Sequence, residues 1–189
     1  LGDVYKRQMM DKLAKAAWAQ LADMSPRALH IDEIAAAAGI APSAARAVSG
    51  STTALILHQL ARLDRQAILE SLADIEDAGE VPVRDKIMEA LMHRFEVYAP
   101  YRVQMIQLEA AARRDPFLGL RLVESLLQAT RMLLRMAGDD LAGFRGEARV
   151  RGVTGLAIVV ARVWRTDDTP DLSMTLKAVS YTHLTLPTT

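Results

Sequence analysis

Apolar residues recur every three or four positions along most of the chain, which is the spacing of one face of an α-helix. The longest such stretch lies at about 51–78, and its apolar stripe consists of Ile56, Leu60, Leu63, Ala67, Ile68, Leu72 and Ile75. The same spacing predicts further helices at about 9–23, 31–38, 42–50, 83–97, 101–113, 116–137 and 145–166, with a last segment from 169 onward. The pattern therefore predicts an all-α protein.

Start and stop signals separate these stretches. Gly39 suits the left-handed position just beyond a helix, and Pro42 can open the next helix because its missing N–H would have no partner there. Ser51 is placed to cap the long helix, and Asp115 is placed to cap the helix predicted at about 116–137. The Gly-Glu-Val-Pro stretch at 79–82 predicts the end of the long helix.

The composition agrees with an all-α protein and excludes some kinds of site and partner. The 189 residues are 51% apolar and 5% aromatic, a mixture that favours helices over sheets. The 23 basic and 23 acidic side chains cancel, so there is no general attraction to nucleic acid or anionic lipid. The chain contains no Cys, which fits a cytoplasmic protein and excludes thiolate metal sites. We expect no transmembrane segment, because no apolar run is long enough.

The two ends differ from the rest of the chain. Residues 1–8, "LGDVYKRQ", and residues 180–189, "SYTHLTLPTT", resemble translated read-through of a sequencing adapter. We therefore expect both ends to be non-native, with the authentic protein at about 9–179. The alternative is that they are ordinary disordered termini.

A helix-turn-helix is predicted at 31–50. This motif needs a small residue where its two helices touch, which is Ala38, and a glycine in the turn, which is Gly39. Ile34 and Ile40 are placed to fill the small core around the turn. We predict a three-helix DNA-binding head at 9–50, joined by the long helix to a helical body at 51–179.

At these residues the chain resembles the TetR family of bacterial regulators. The "IAAAAGI" at 34–40 is similar to the family's I-A-x-x-A-G-V, and "STTAL" at 51–55 falls on its S-K-E-x-L. The resemblance implies a dimeric transcriptional regulator that binds double-stranded DNA, with the second helix of the motif in the major groove. The expected DNA-binding residues are Pro42, Ser43, Ala44, Arg46, Ala47, Ser51, Thr52 and Thr53.

The head also departs from that family. Ala41 replaces the Ser of the turn, Thr52 replaces a phosphate-contacting Lys, and Arg46, Val48 and Ser49 stand at aromatic positions. Residues 9–50 hold four basic and four acidic side chains, whereas a head that binds DNA normally has a basic face. Whether this head binds DNA is therefore left open by the sequence.

The predicted body is rich in Met, an adaptable side chain that can shape a pocket for an apolar ligand. The resemblance implies such a pocket, and an effector bound there would change DNA affinity through coupling between the two sites. The alternative is ordinary core packing. The expected ligand-binding residues are Met88, Met92, Phe95, Met105, Leu108, Leu127 and Met132.

A second resemblance gives an alternative function. The chain is also similar to the TetR-like lipid-binding accessory proteins of ubiquinone biosynthesis, which have this fold but do not act on DNA. The similarity lies in the charge-poor head, in "ALILH" at 54–58 and in "DDTPDL" at 167–172. It implies a lipid or isoprenoid as the ligand.

The stretch at 146–164 has a broad apolar face and small residues that let helices approach closely. The TetR resemblance implies a two-fold dimer here, with the two heads about one DNA turn, roughly 34 Å, apart. The alternative is a buried central helix of a monomer. The expected dimer-interface residues are Val153, Ala157, Val160, Ala161 and Trp164.

Catalytic chemistry has little support in the sequence. His30, His58 and His93 have no ligand-like spacing, and neither a nucleophile elbow nor a phosphate loop is present. We therefore expect no enzyme activity, no cofactor and no metal.

Overall fold

A computed structural model describes residues 2–78 and 80–182. All the helices and turns in this part of the chain agree with the predicted all-α class, and no strand occurs among these residues. The α-helices are α1 (Gly2–Gln20), α2 (Ile31–Ala37), α3 (Pro42–Val48), α4 (Thr52–Ala78), α5 (Val83–Tyr98), α6 (Arg102–Ala112), α7 (Pro116–Met136), α8 (Gly143–Trp164) and α9 (Ser173–Thr182). Two short 3-10 helices lie at Pro26–Ala28 and Ala99–Tyr101.

Most predicted boundaries lie within a few residues of the observed ones, and the largest differences are at the two ends. α1 begins at Gly2 rather than near 9, so the segment interpreted as non-native continues the first helix. α9 begins at Ser173 rather than at 169, because Leu172 has a φ of +51°, outside the right-handed helical region; the side chains of Thr169 and Asp171 accept hydrogen bonds from the Ser173 N–H. The last residues of the second suspected non-native segment, 183–189, lie outside the described residues.

The predicted start and stop signals act as expected. Gly39 has a φ of +65°, the left-handed conformation that glycine adopts without strain. Ser51 Oγ accepts a hydrogen bond from the Ala54 N–H at 3.1 Å, which is the contact of a helix N-cap. Asp115 Oδ1 accepts the N–H groups of Phe117 and Leu118, both at 3.1 Å, and these bonds together with Arg27 lower the pKa of Asp115.

The described chain forms two compact units. The first comprises the chain up to Arg62 together with Tyr101–Ser125. In it α1, α2 and α3 pack on one another, and α6 contacts the first 3-10 helix. Its core includes the fully or almost fully buried side chains Leu13, Trp18, Leu21, Ile34, Leu55 and Ile56.

The second unit comprises Leu63–Pro100 and the chain from Leu126 onward. Here α8 packs on α9, and both contact α5. The rings of Phe95 and Trp164 lie 5.7 Å apart between centroids. The core of this unit includes Leu91, Leu134, Val150, Val160 and Val179.

Candidate nucleic-acid interface and buried polar cavity

α2 and α3 form a helix-turn-helix within the first unit. Ile34, Ala35 and Ala45 have no exposed surface, and they hold the two helices against α1. The turn between them runs through Gly39, whose N–H donates to the Ala36 carbonyl oxygen. The motif therefore has the packed inner side that the sequence predicts.

The outer side of α3 faces solvent. Pro42, Ser43, Arg46 and Ala47 are exposed, and Ala44 is half-buried. The four exposed residues recur at helical spacing, so they share one side of α3. This side presents only one charged group, the guanidinium of Arg46, beside small side chains that would let a ligand approach the backbone.

The start of α4 offers a second set of polar groups. Ser51 is exposed, and Thr52 and Thr53 are half-buried in the first turn. The first N–H groups of an α-helix have no carbonyl partner in the helix, and they carry the positive end of its dipole. Ser51 Oγ is itself occupied by the Ala54 N–H. The N–H groups of the first turn are therefore the main candidates for a phosphate contact.

Arg46 makes an ion pair with Asp32 of α2, and both side chains are about half exposed. The sequence alone did not indicate this pair, because its members are 14 positions apart on different helices. The pair lowers the net positive charge of the α3 surface. A phosphate or a base edge would therefore have to compete with Asp32 for the guanidinium.

Several other basic groups of this unit also lie beside carboxylates. Arg27 pairs with Asp115 at 3.3 Å. His58 Nε2 lies 2.7 Å from Asp11 Oδ1, and Arg62 lies 3.7 Å from the same oxygen. Several basic side chains of this unit are therefore paired with carboxylates rather than available to phosphate, whereas Lys12 and Lys15 of α1 are exposed.

The seven predicted ligand-binding residues are divided between the two units. Met105 and Leu108 lie in the first unit, and the other five in the second. Leu108, Met92 and Phe95 are buried, and the remaining four are half-buried; these are Met88, Met105, Leu127 and Met132. Met92 and Phe95 contribute to the core of the second unit.

A small cavity of about 10 Å³ lies within the second unit, which is room for about one water molecule. Residues of α4, α5 and α7 line it, and none of the seven predicted ligand-binding residues is among them. Its lining is apolar on most sides and polar at Asp64, Arg94 and Thr130; the apolar residues are Ala67, Ile68, Ala90, Leu91, Ala129 and Leu133.

Two of the polar lining residues, Asp64 and Arg94, belong to a buried triad with Tyr98 that the sequence did not indicate. Arg94 Nε donates a hydrogen bond to Asp64 Oδ1 at 2.6 Å, and the Tyr98 hydroxyl donates to the same oxygen at 2.5 Å. Asp64 and Tyr98 are each 2% exposed. Burial raises the pKa of Tyr98, while the pKa of Arg94 is raised because Asp64 outweighs the opposing effect of burial. The only local signal is that Arg94 and Tyr98 are one helical turn apart.

The predicted dimer-interface residues lie in the interior of the second unit. Val153, Ala157, Val160 and Trp164 are almost fully buried, and Ala161 is half-buried. They lie on the helix that packs against α5 and α9 of the same chain. This arrangement corresponds to the alternative given above, in which the stretch is a buried central helix. The other side of α8 exposes Ile158 and Val159, and α9 exposes Met174, Leu176 and Tyr181. Any contact of α8 with a second copy would therefore use that opposite side.

Among the residues that the structure describes, no helix is long and apolar enough to cross a membrane.

Comparison with known proteins identifies the fold. No protein-family model and no curated protein matches the sequence. Among solved structures, the TetR transcriptional regulator from Nitrosomonas europaea ATCC 19718 is similar, with a TM-score of 0.72 and 14% identity over 93% of this chain and 96% of that chain. A tetR-family transcriptional regulator from Streptomyces coelicolor has a TM-score of 0.61 and 18% identity over 93% of this chain and 79% of that chain. The chain therefore has the TetR-like fold that its helix-turn-helix residues resemble.

Proposed function

We propose that the protein is a TetR-like transcriptional regulator that binds DNA in the cytoplasm as a homodimer and responds to an apolar small molecule. The observation that carries this proposal is the helix-turn-helix of the first unit, whose α3 exposes Ser43 and Arg46 and is followed by the first turn of α4, where the N–H groups of Thr52 and Thr53 precede the first intrahelical hydrogen bonds. The description of both similar structures as TetR regulators supports it.

In this proposal α3 lies in the major groove, as the second helix of such motifs does. Arg46 exchanges Asp32 for a guanine edge, and Ser43 contacts a base or a phosphate. Pro42, Ala44 and Ala47 allow close approach because they are small or compact. The N–H groups of Thr52 and Thr53 bind a phosphate with the positive end of the α4 dipole.

The effector proposal concerns the second unit. The small cavity combines six apolar residues with Asp64, Arg94 and Thr130, which suits an apolar molecule that carries one polar group. Its present volume admits no such molecule, so effector binding requires side chains to move. Met88, Met92 and Met132 belong to the same unit and have the flexible side chains for this movement.

The homodimer proposal rests on the apolar side chains that α8 and α9 leave exposed. Ile158 and Val159 are 39% and 47% exposed, and Met174 is 49% exposed. We expect light scattering to give twice the mass of the chain, and Ile158→Asp to return it to the monomer. Leu69→Asp, at another exposed apolar position of the second unit, is the matched control. A wild-type monomer would contradict the proposal.

The alternative function is lipid or isoprenoid binding in ubiquinone biosynthesis without any action on DNA. The specific observation in its favour is the pairing of Arg46 with Asp32, together with the carboxylates beside Arg27 and His58. A head of this kind can retain its shape as a structural element. An apolar ligand would then be the main partner of the protein.

The decisive experiment is fluorescence anisotropy of the purified chain with sheared genomic duplex, titrated with salt. Non-specific binding by a regulator is expected at Kd of about 10⁻⁶–10⁻⁴ M, and it should weaken steeply as salt rises. Arg46→Ala should bind duplex more weakly than the wild type does at the same salt concentration. Arg151→Ala, at an exposed position on α8, should have little effect. No binding at low salt by a folded protein would reject the regulator. Mass spectrometry of an organic extract would then test for a bound lipid.

A further inference from the structure

A histidine of the second unit lies between carboxylates from two helices. His93 Nε2 is 2.9 Å from Asp74 Oδ2 and 3.3 Å from Glu89 Oε1. One donor atom from each of these three residues lies within 4.8 Å of the other two. We propose that Asp74, Glu89 and His93 form a binding site for a divalent transition-metal ion.

The helices bring these side chains together in a simple way. Glu89 and His93 are four positions apart on α5, so they lie on the same side of the helix one turn apart. Asp74 reaches the same place from α4. The site therefore joins two helices that the 79–82 segment connects. The spacing of the histidines gave no sign of this site, because its other two members are acidic residues and one of them lies on another helix.

The environment of the imidazole favours a cation between the three groups. His93 is 15% exposed, and its Nδ1 lies 3.5 Å from Glu96 Oε2. Glu96 is thus placed to accept a hydrogen bond from Nδ1 when Nε2 binds an ion, as the carboxylate partners of metal-bound histidines do. Nε2 is buried and has no hydrogen-bond partner among the described atoms, although both carboxylates are within reach. Two carboxylate oxygens thus lie within 3.3 Å of a buried Nε2 that makes no hydrogen bond, as they would around a shared ion.

The distances also fit a small divalent ion. Zinc lies about 2.0–2.2 Å from nitrogen and oxygen ligands, which places neighbouring ligand atoms roughly 3.3 Å apart in a tetrahedral site. The separation of 3.3 Å between Nε2 and Glu89 matches this value, and the separation of 2.9 Å to Asp74 is shorter, so Asp74 would move slightly outward around an ion. One imidazole and two carboxylates suit Zn²⁺, Mn²⁺ or Co²⁺. Asp74 and Glu89 are 61% and 53% exposed, so water can complete the coordination.

The site is independent of the proposed regulator function. It is separate from the residues that line the small cavity, and it contains no residue of the candidate nucleic-acid interface. Its test therefore measures metal binding directly and does not involve DNA.

The experiment uses the full chain without a polyhistidine tag, after treatment with a chelator. Zn²⁺ is titrated in competition with a chromogenic chelator, and Co²⁺ absorption reports coordination. We expect one equivalent of Zn²⁺ to bind. Asp74→Asn, Glu89→Gln and His93→Ala should each weaken binding by about tenfold or more. Asp74→Asn is the safest variant for folding, because this side chain is largely exposed.

His58→Ala is the matched control. His58 also lies beside a carboxylate, that of Asp11, but the third group there is Arg62 rather than a second acid. Zn²⁺ should raise the midpoint of thermal unfolding in the wild type and in His58→Ala, and not in His93→Ala. Absence of stoichiometric binding would overturn the proposal. So would equal affinity of the wild type and a folded Asp74→Asn or His93→Ala variant.

Discussion

Arg46 of α3 and Asp32 of α2 form an ion pair on the exposed side of the helix-turn-helix. This contact engages the one charged side chain on the exposed side of α3. An exposed ion pair contributes little to stability, so it can open when a competing anion is near. The pair is therefore a place where one substitution should change DNA binding without unfolding the protein.

Removal of Asp32 should strengthen binding to duplex DNA. Asp32→Ala frees the guanidinium of Arg46 for a phosphate, so the slope of log K against log salt should become steeper by about 0.9. Anisotropy at several salt concentrations measures this slope. Glu33→Ala removes the same charge from the first turn of α2, but Glu33 has no such pair with Arg46. Equal slopes in the two variants would contradict a specific role for the pair.

Substitutions at Ser51 should distinguish its role as the N-cap of α4 from a contact between this end of the helix and a phosphate. Asp and Asn both replace Ser well as N-caps, so neither Ser51→Asp nor Ser51→Asn should change the free energy of unfolding by more than about 0.5 kcal/mol. Ser51→Asp places a negative charge beside the bound phosphate and should weaken duplex binding about tenfold. Ser51→Asn should bind nearly as the wild type does. If both variants bind alike, the start of α4 does not contact DNA.

The buried triad should dominate the stability of the second unit. Arg94→Leu leaves the buried carboxylate of Asp64 without its cation, which should cost about 3–5 kcal/mol in urea unfolding followed by circular dichroism. Tyr98→Phe removes one hydrogen bond and should cost about 1–3 kcal/mol. Arg151→Ala breaks an exposed pair with Glu147 and should cost no more than about 0.5 kcal/mol. Similar costs for Arg94→Leu and Arg151→Ala would be the contrary result.

Acid should destabilise the loop before α9 through Asp167. Burial raises the pKa of this carboxyl, but hydrogen bonds from the hydroxyl and N–H groups of Thr169 and Thr175 outweigh it and hold the pKa at about 2. Because this value lies below the unfolded value of 3.8, the stabilisation is complete above about pH 4 and is lost as the pH falls toward 2. Its size is about 2 kcal/mol.

Two variants check this pH dependence by thermal unfolding between pH 2 and 7. Asp167→Asn should lower stability at pH 7 and flatten its fall below pH 4. Thr175→Val removes the hydroxyl that donates to Asp167 Oδ2 at 2.7 Å, so the acid transition should move to higher pH. An unchanged acid profile in Asp167→Asn would assign the acid sensitivity to other groups.

Local signals in the sequence determined the helices and several of their ends. The apolar stripe of α4, the left-handed Gly39 and the caps at Ser51 and Asp115 depend on residues within one or two turns. Such signals can be read along the chain, and a local pattern of the same kind at 34–40 predicted the TetR-like fold. The exposed side of α3 also follows from helical spacing once the packed side is known.

The tertiary structure decided which of these residues meet. Arg46 pairs with Asp32, Arg94 with Asp64, and His93 lies beside Asp74, although the partners are 14–30 positions apart or come from another helix. It also placed the apolar side of α8 inside the second unit, against α5 and α9. A helical stripe tells which side of a helix is apolar, but it does not tell what covers that side. Only the packing of distant segments determines that partner, and with it the charge that each exposed group retains.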